Sequence, residues 1–140
     1  MPSEAHESGP ARRPIGATVI SIIVALEALA LLAGAVWFGV ELIVDRPQSY
    51  SVAVVTLVIL LILGAWQGTV GHFLFRGYRW TRSAALVWQL FMLVLGIPAL
   101  TNGQVLVGLL LTVPPVIAAV LLFTGPVVAF TQRRVDSPAL

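Results

Sequence analysis

Four long apolar runs, each close to the length a helix needs to cross a hydrocarbon core, leave this chain little to fold into except a membrane-spanning bundle. A crossing takes about 20 predominantly apolar residues at about 1.5 Å each. The runs that qualify are Ile15 to Val40, Ser51 to Phe75, Ser83 to Thr101 and Val105 to Phe130. Backbone polar groups cannot be left open in lipid, so each run is expected to be helical. Composition agrees, because 59% of the chain is apolar and 10% charged, where a soluble domain carries about 25% charged residues. The expected fold class is therefore all-α: a polytopic four-transmembrane-helix bundle over 15–130. A disordered tail over 1–14 precedes it and a short tail over 131–140 follows.

The arginines orient that bundle. Arg12 and Arg13 precede the first run, Arg76, Arg79 and Arg82 lie between the second and third, and Arg133 and Arg134 follow the fourth. Only Arg46 falls on the other side. Basic residues in short loops stay in the cytoplasm, so both termini and the central loop are expected there. The net charge of +2 would raise nucleic-acid binding in a soluble protein. Here orientation explains the arginines, and no nucleic-acid partner is expected.

All the basic residues are arginine and none is lysine, which fits translation from GC-rich DNA. The chain has no cysteine, so disulfides, iron–sulfur clusters and thiol chemistry are excluded within it. Arg12-Arg13 before an apolar run is also the opening of a secretory or twin-arginine signal, with Ala28-Leu29-Ala30 as a cleavage-like site. The run continues to Val40 and contains Glu27, so an uncleaved first helix is expected.

The connections are short. Glu41 to Tyr50 carries Glu41, Asp45, Arg46 and Pro47 and is expected outside. Arg76-Gly77-Tyr78-Arg79-Trp80-Thr81-Arg82 forms a basic hairpin whose Tyr and Trp suit the headgroup layer. Its three arginines are the expected topology and lipid-headgroup residues, with anionic lipids of the cytoplasmic leaflet as partners. Asn102-Gly103 makes the third turn, so helices three and four must be antiparallel neighbours. No polar segment in the sequence is longer than 1–14, which leaves no water-borne domain to hold a nucleotide.

The hairpin Arg76-Gly77-Tyr78-Arg79-Trp80-Thr81-Arg82-Ser83, running into Leu86-Val87-Trp88-Gln89-Leu90, resembles a set of small, uncharacterised four-helix membrane proteins from actinobacteria. The first-helix stretch Ala25-Leu26-Glu27-Ala28-Leu29 supports the resemblance, which covers most of the apolar chain and not the tails. Those relatives commonly have proline just after the hairpin serine, where Ala84 stands here. The resemblance implies a multi-pass protein of a bacterial plasma membrane. It implies no catalytic role, because the set carries no established activity.

Glu27 is the main anomaly. It lies 14 positions beyond Arg13, near the expected midplane, where an acidic residue costs roughly 2.5–3.5 kcal/mol on insertion scales. It must be neutral, paired or turned to a polar cavity. Ala30 and Gly34 share its side of the helix at i+3 and i+7, a shallow surface that another helix can approach. On the second helix Gly64, Gly68 and Gly71 share a face, with Gln67 at its edge. Gln67 and Gln89 lie nine and seven positions from their nearest arginines, so an amide-to-amide bond is expected, with Glu27 about a turn deeper.

Other residues carry less. His72 lies near the cytoplasmic interface without a second ligand for haem, and metal ligands are too few. No cofactor is expected. Pro114-Pro115 should kink the fourth helix, with Thr112 offsetting part of the lost hydrogen bonding. The preferred functional expectation is a non-enzymatic accessory or assembly subunit, or a homo-oligomer, associating with a protein partner or with itself. The alternative is a small proton-coupled transporter or channel using Glu27. An embedded enzyme is the third possibility.

Overall fold

The computed structural model describes residues 12–44 and 47–132. Expectations about the tails and about Asp45, Arg46, Arg133 and Arg134 lie outside the described residues. The fold is all-α. The helices are α1 (Ile15–Val44), α2 (Tyr50–Phe75), α3 (Arg79–Thr101), α4 (Val105–Leu122) and α5 (Gly125–Gln132). The first four are long and apolar enough to cross a membrane. Their surfaces are apolar nearly all round, with Leu26, Leu29, Val36, Ile62, Val94 and Leu110 among many exposed large hydrophobics. Such a surface would drive aggregation in water and suits a lipid solvent.

Both tight turns use the same device. Gly77 has φ +82° and Gly103 φ +80°, the left-handed conformation that L side chains avoid. At the first turn the Tyr78 N–H donates to the Phe73 carbonyl at 3.1 Å and the Gly77 N–H to Leu74 at 2.9 Å. At the second, Gln104 donates to Ala99 at 2.9 Å and Gly103 to Leu100 at 3.2 Å. These are Schellman caps, which satisfy the carbonyls a helix end leaves open. The Tyr78 ring meets Phe73 edge-on at 5.1 Å, the apolar contact that completes the first cap.

The helices pack as two close hairpins, α1–α2 and α3–α4, with sparser contact between hairpins. Glycines set the closeness. A methyl at Gly71 would lie 3.1 Å from Val24, and one at Gly64 would lie 2.7 Å from Leu32. At Gly96 it would lie 2.9 Å from the Leu111 carbonyl oxygen, and at Gly108 it would lie 2.5 Å from Leu100. Between hairpins the tight core is confined to the half nearer the arginines. Ala17, Ile20, Val24, Val70, Leu74, Ala85, Ala118, Leu122 and Val127 pack there.

Three expectations about the ends change, the first being that α3 starts at Arg79 rather than Ser83 and takes in half of the basic hairpin. α1 runs on to Val44 rather than stopping at Val40. The fourth run is not one helix to Phe130: α4 passes through Pro114 and Pro115 and ends at Leu122. The break falls at Phe123-Thr124, ahead of Gly125-Pro126. Pro126 has no amide proton to give the Leu122 carbonyl, and Gly125 weakens the helix beside it. Thr112 Oγ1 is buried without a hydrogen bond, so it does not offset the prolines as expected. The Leu111 carbonyl, deprived of its donor by Pro115, instead lies against Gly96.

Candidate functional site

Away from the arginines the two hairpins diverge, and a groove of about 740 Å³ opens between them. α1 contributes Ile23, Glu27, Ala30 and Gly34 at helical spacing, and Trp88 and Met92 of α3 close its inner end. Leu110, Pro114 and Ile117 of α4 form the opposite wall. Glu27 is its one ionisable residue. On the arginine side the groove ends against Ile23, which packs on the core there.

The expected polar residues meet, in a different arrangement from the one the arginine count gave. Gln67 Nε2 donates to Glu27 Oε2 at 2.9 Å, and Gln89 Nε2 donates to the same oxygen at 3.1 Å. One carboxyl oxygen of α1 thus ties α2 and α3, which belong to different hairpins. Gln67 and Gln89 are both 0% exposed, and their own Oε1 atoms lack partners, so the expected amide-to-amide bond is replaced. Register explains the change of level. Gly71 meets Val24, Gly68 faces Ala28 and Gly64 meets Leu32, which sets Gln67 opposite the Glu27–Ala28 turn. α1 therefore starts well beyond the end of α2, and Arg13 spans the offset by laying its guanidinium 3.5 Å over the Phe75 ring.

Glu27 also lines the groove, while its Oε2 accepts both amides. Trp88, missed by sequence reasoning, stands beside the same carboxyl, with its Nε1 buried and outside hydrogen-bond geometry. Its place directly before Gln89 was the available signal, since a buried indole usually seeks an acceptor.

The small-residue faces divide. Gly64 and Gly71 are spent on α1, and Gly68 more loosely, with Ala28 3.9 Å from its notional methyl. Ala30 and Gly34 are exposed, and among the described residues a methyl on Gly34 would meet nothing within 4 Å. They give the groove its width.

At the arginine end, Arg76 and Arg79 are exposed and Arg82 is half-buried. Trp66 and Trp80 stand 6.2 Å apart, and Trp80 lies 5.9 Å from Phe73. His72 is exposed and packs edge-on to Phe73. Among the described residues no three His, Cys, Asp or Glu side chains gather where a metal could be held.

The fold and this groove together define a multi-pass α-helical membrane protein with a buried carboxyl–amide junction. No family model, curated protein or solved structure matches the chain.

Proposed function

We propose that this chain is a non-enzymatic integral protein of a bacterial plasma membrane, of actinobacterial type, working as a small accessory or assembly subunit or as a homo-oligomer. The observation that carries the reading is the exposed Ala30–Gly34 surface beside Glu27, where among the described residues nothing lies within 4 Å of a methyl on Gly34. In membranes small residues let helix backbones meet closely, and a polar group alongside adds a bond across the contact. Glu27 meanwhile contributes to the bundle itself through Oε2. Both termini and the arginine hairpin face the cytoplasm on this reading, with anionic lipids of that leaflet as further partners. Purification in mild detergent should yield a defined oligomer or a co-purifying chain, and a cysteine at Gly34 should cross-link to it. A monomer that gives no cross-link in its native membrane would overturn the reading.

A second reading, a small proton-coupled transporter or channel, is favoured by one specific observation: Glu27 lines the groove between the two hairpins and is its one ionisable residue. Ionisable groups on intramembrane cavities commonly mark ion or proton paths. Proton flux into proteoliposomes that is lost in Glu27→Gln would promote this reading over the first.

A further inference from the structure

A second cavity, of about 800 Å³, lies at the arginine end, where the fourth run breaks between α4 and α5. Tyr78, Arg79, Trp80 and Arg82 form its rim, and Leu86, Leu122 and Phe123 its apolar wall. The wall runs from the rim into the depth that lipid chains occupy, and Phe123, 63% exposed, stands beside it because the helix stops there.

The rim is positive, and among the described residues no acid lines it. Neither guanidinium has a hydrogen bond or an ion pair among the described residues. The described acids are Glu27 and Glu41, on the groove and near the far end of α1. The first turn of α3 adds to the field, since Tyr78 supplies no side-chain cap and a helix N-terminus carries partial positive charge. Trp80 and Tyr78 bring the amphipathic rings that settle at headgroup level. A positive rim over an apolar wall, open sideways at an interfacial depth, calls for an occupant with an anionic head and hydrocarbon tails.

We propose that this cavity is a discrete site for one anionic phospholipid, its phosphate held by Arg79 and Arg82 and its acyl chain lying on Leu86 and Phe123. The proposal deepens the lipid-partner part of the function above by separating two hairpin arginines from the third. Arg76 caps the end of α2 and does not line the cavity.

Native mass spectrometry of the full chain in mild detergent tests it, with phosphatidylglycerol, phosphatidylcholine and soluble glycerol phosphate as probes. The expected result is one retained phosphatidylglycerol per chain, with phosphatidylcholine and glycerol phosphate held far more weakly. The double variant Arg79→Gln/Arg82→Gln should lose about tenfold or more in affinity, as charge-assisted phosphate contacts are removed. Arg12→Gln/Arg76→Gln removes equal charge outside the cavity and should stay within about twofold of the parent. Leu86→Trp fills the wall, leaves both arginines in place, and should also weaken binding.

Equal losses in the two double variants would mean a smeared surface potential, which overturns the site while leaving lipid partnership in general intact. Binding unchanged by Leu86→Trp, or glycerol phosphate held as tightly as phosphatidylglycerol, would overturn the lipid assignment.

Discussion

Replacing Glu27 tests the junction between the hairpins, because its Oε2 accepts an amide from α2 and another from α3. Glu27→Leu removes the acceptor of both amides, Gln67 Nε2 at 2.9 Å and Gln89 Nε2 at 3.1 Å. An interhelical hydrogen bond in a membrane contributes about 0.6–2 kcal/mol, so losing two should cost about 1–4 kcal/mol. Both glutamines are fully buried, so their amides have no water to turn to, and the upper half of that range applies. Glu27→Gln should behave differently. The amide keeps an oxygen able to accept both bonds. Stability should then hold within about 1 kcal/mol.

Expression level is the wrong measure, since leucine inserts into a bilayer more readily than glutamate whatever happens to packing. Reversible unfolding in mixed micelles isolates association of the inserted helices. Fluorescence transfer between labels on α1 and α3 reports separation of the hairpins. Equal destabilisation by leucine and glutamine would refute the reasoning, because it would make the charge itself the stabilising element. So would a neutral leucine variant.

Further outcomes follow from the packing and the charge pattern. Gly96→Ala forces a methyl to 2.9 Å from the Leu111 carbonyl oxygen and should cost about 1–3 kcal/mol as an overpacked contact. Gly34→Ala, with nothing within 4 Å, should be neutral or gain up to about 1 kcal/mol of helix propensity; the same unfolding assay checks both, and a reversed order would contradict the packing. For topology, a cysteine at Ser49 should react with an impermeant reagent added to intact cells, and one at Arg76, exposed and unstrained, should react only after lysis. Labelling at Arg76 in intact cells would reverse the assigned orientation.

The spans were legible because each apolar run outlasts any helix a small soluble core could use, and the turns because Gly77 and Gly103 stand where a reversal needs positive φ. The break at Phe123-Thr124 was not, although Thr124-Gly125-Pro126 is a turn signal in plain sight. Pro114-Pro115 drew attention as the stronger disruption. α4 nevertheless runs through them, and the Leu111 carbonyl that Pro115 leaves without its helical donor lies close to Gly96 of α3. That contact depends on a neighbour that hydropathy does not reveal.

The polar junction shows the same limit. Which residues were costly in lipid could be read from the chain, and Glu27, Gln67 and Gln89 were singled out for that reason. Which atoms would meet depends on helix register, and counting from flanking arginines assumes that every helix starts at one plane. Here α1 overhangs α2 by more than a turn, held by Gly64 and Gly71 against Leu32 and Val24. The overhang brings Glu27 level with both glutamines, so that its carboxyl takes both amides in place of an amide pair. It also turns Ala30 and Gly34 away from α2, towards the groove. The same register that completes one polar contact therefore leaves the small-residue face beside it uncovered.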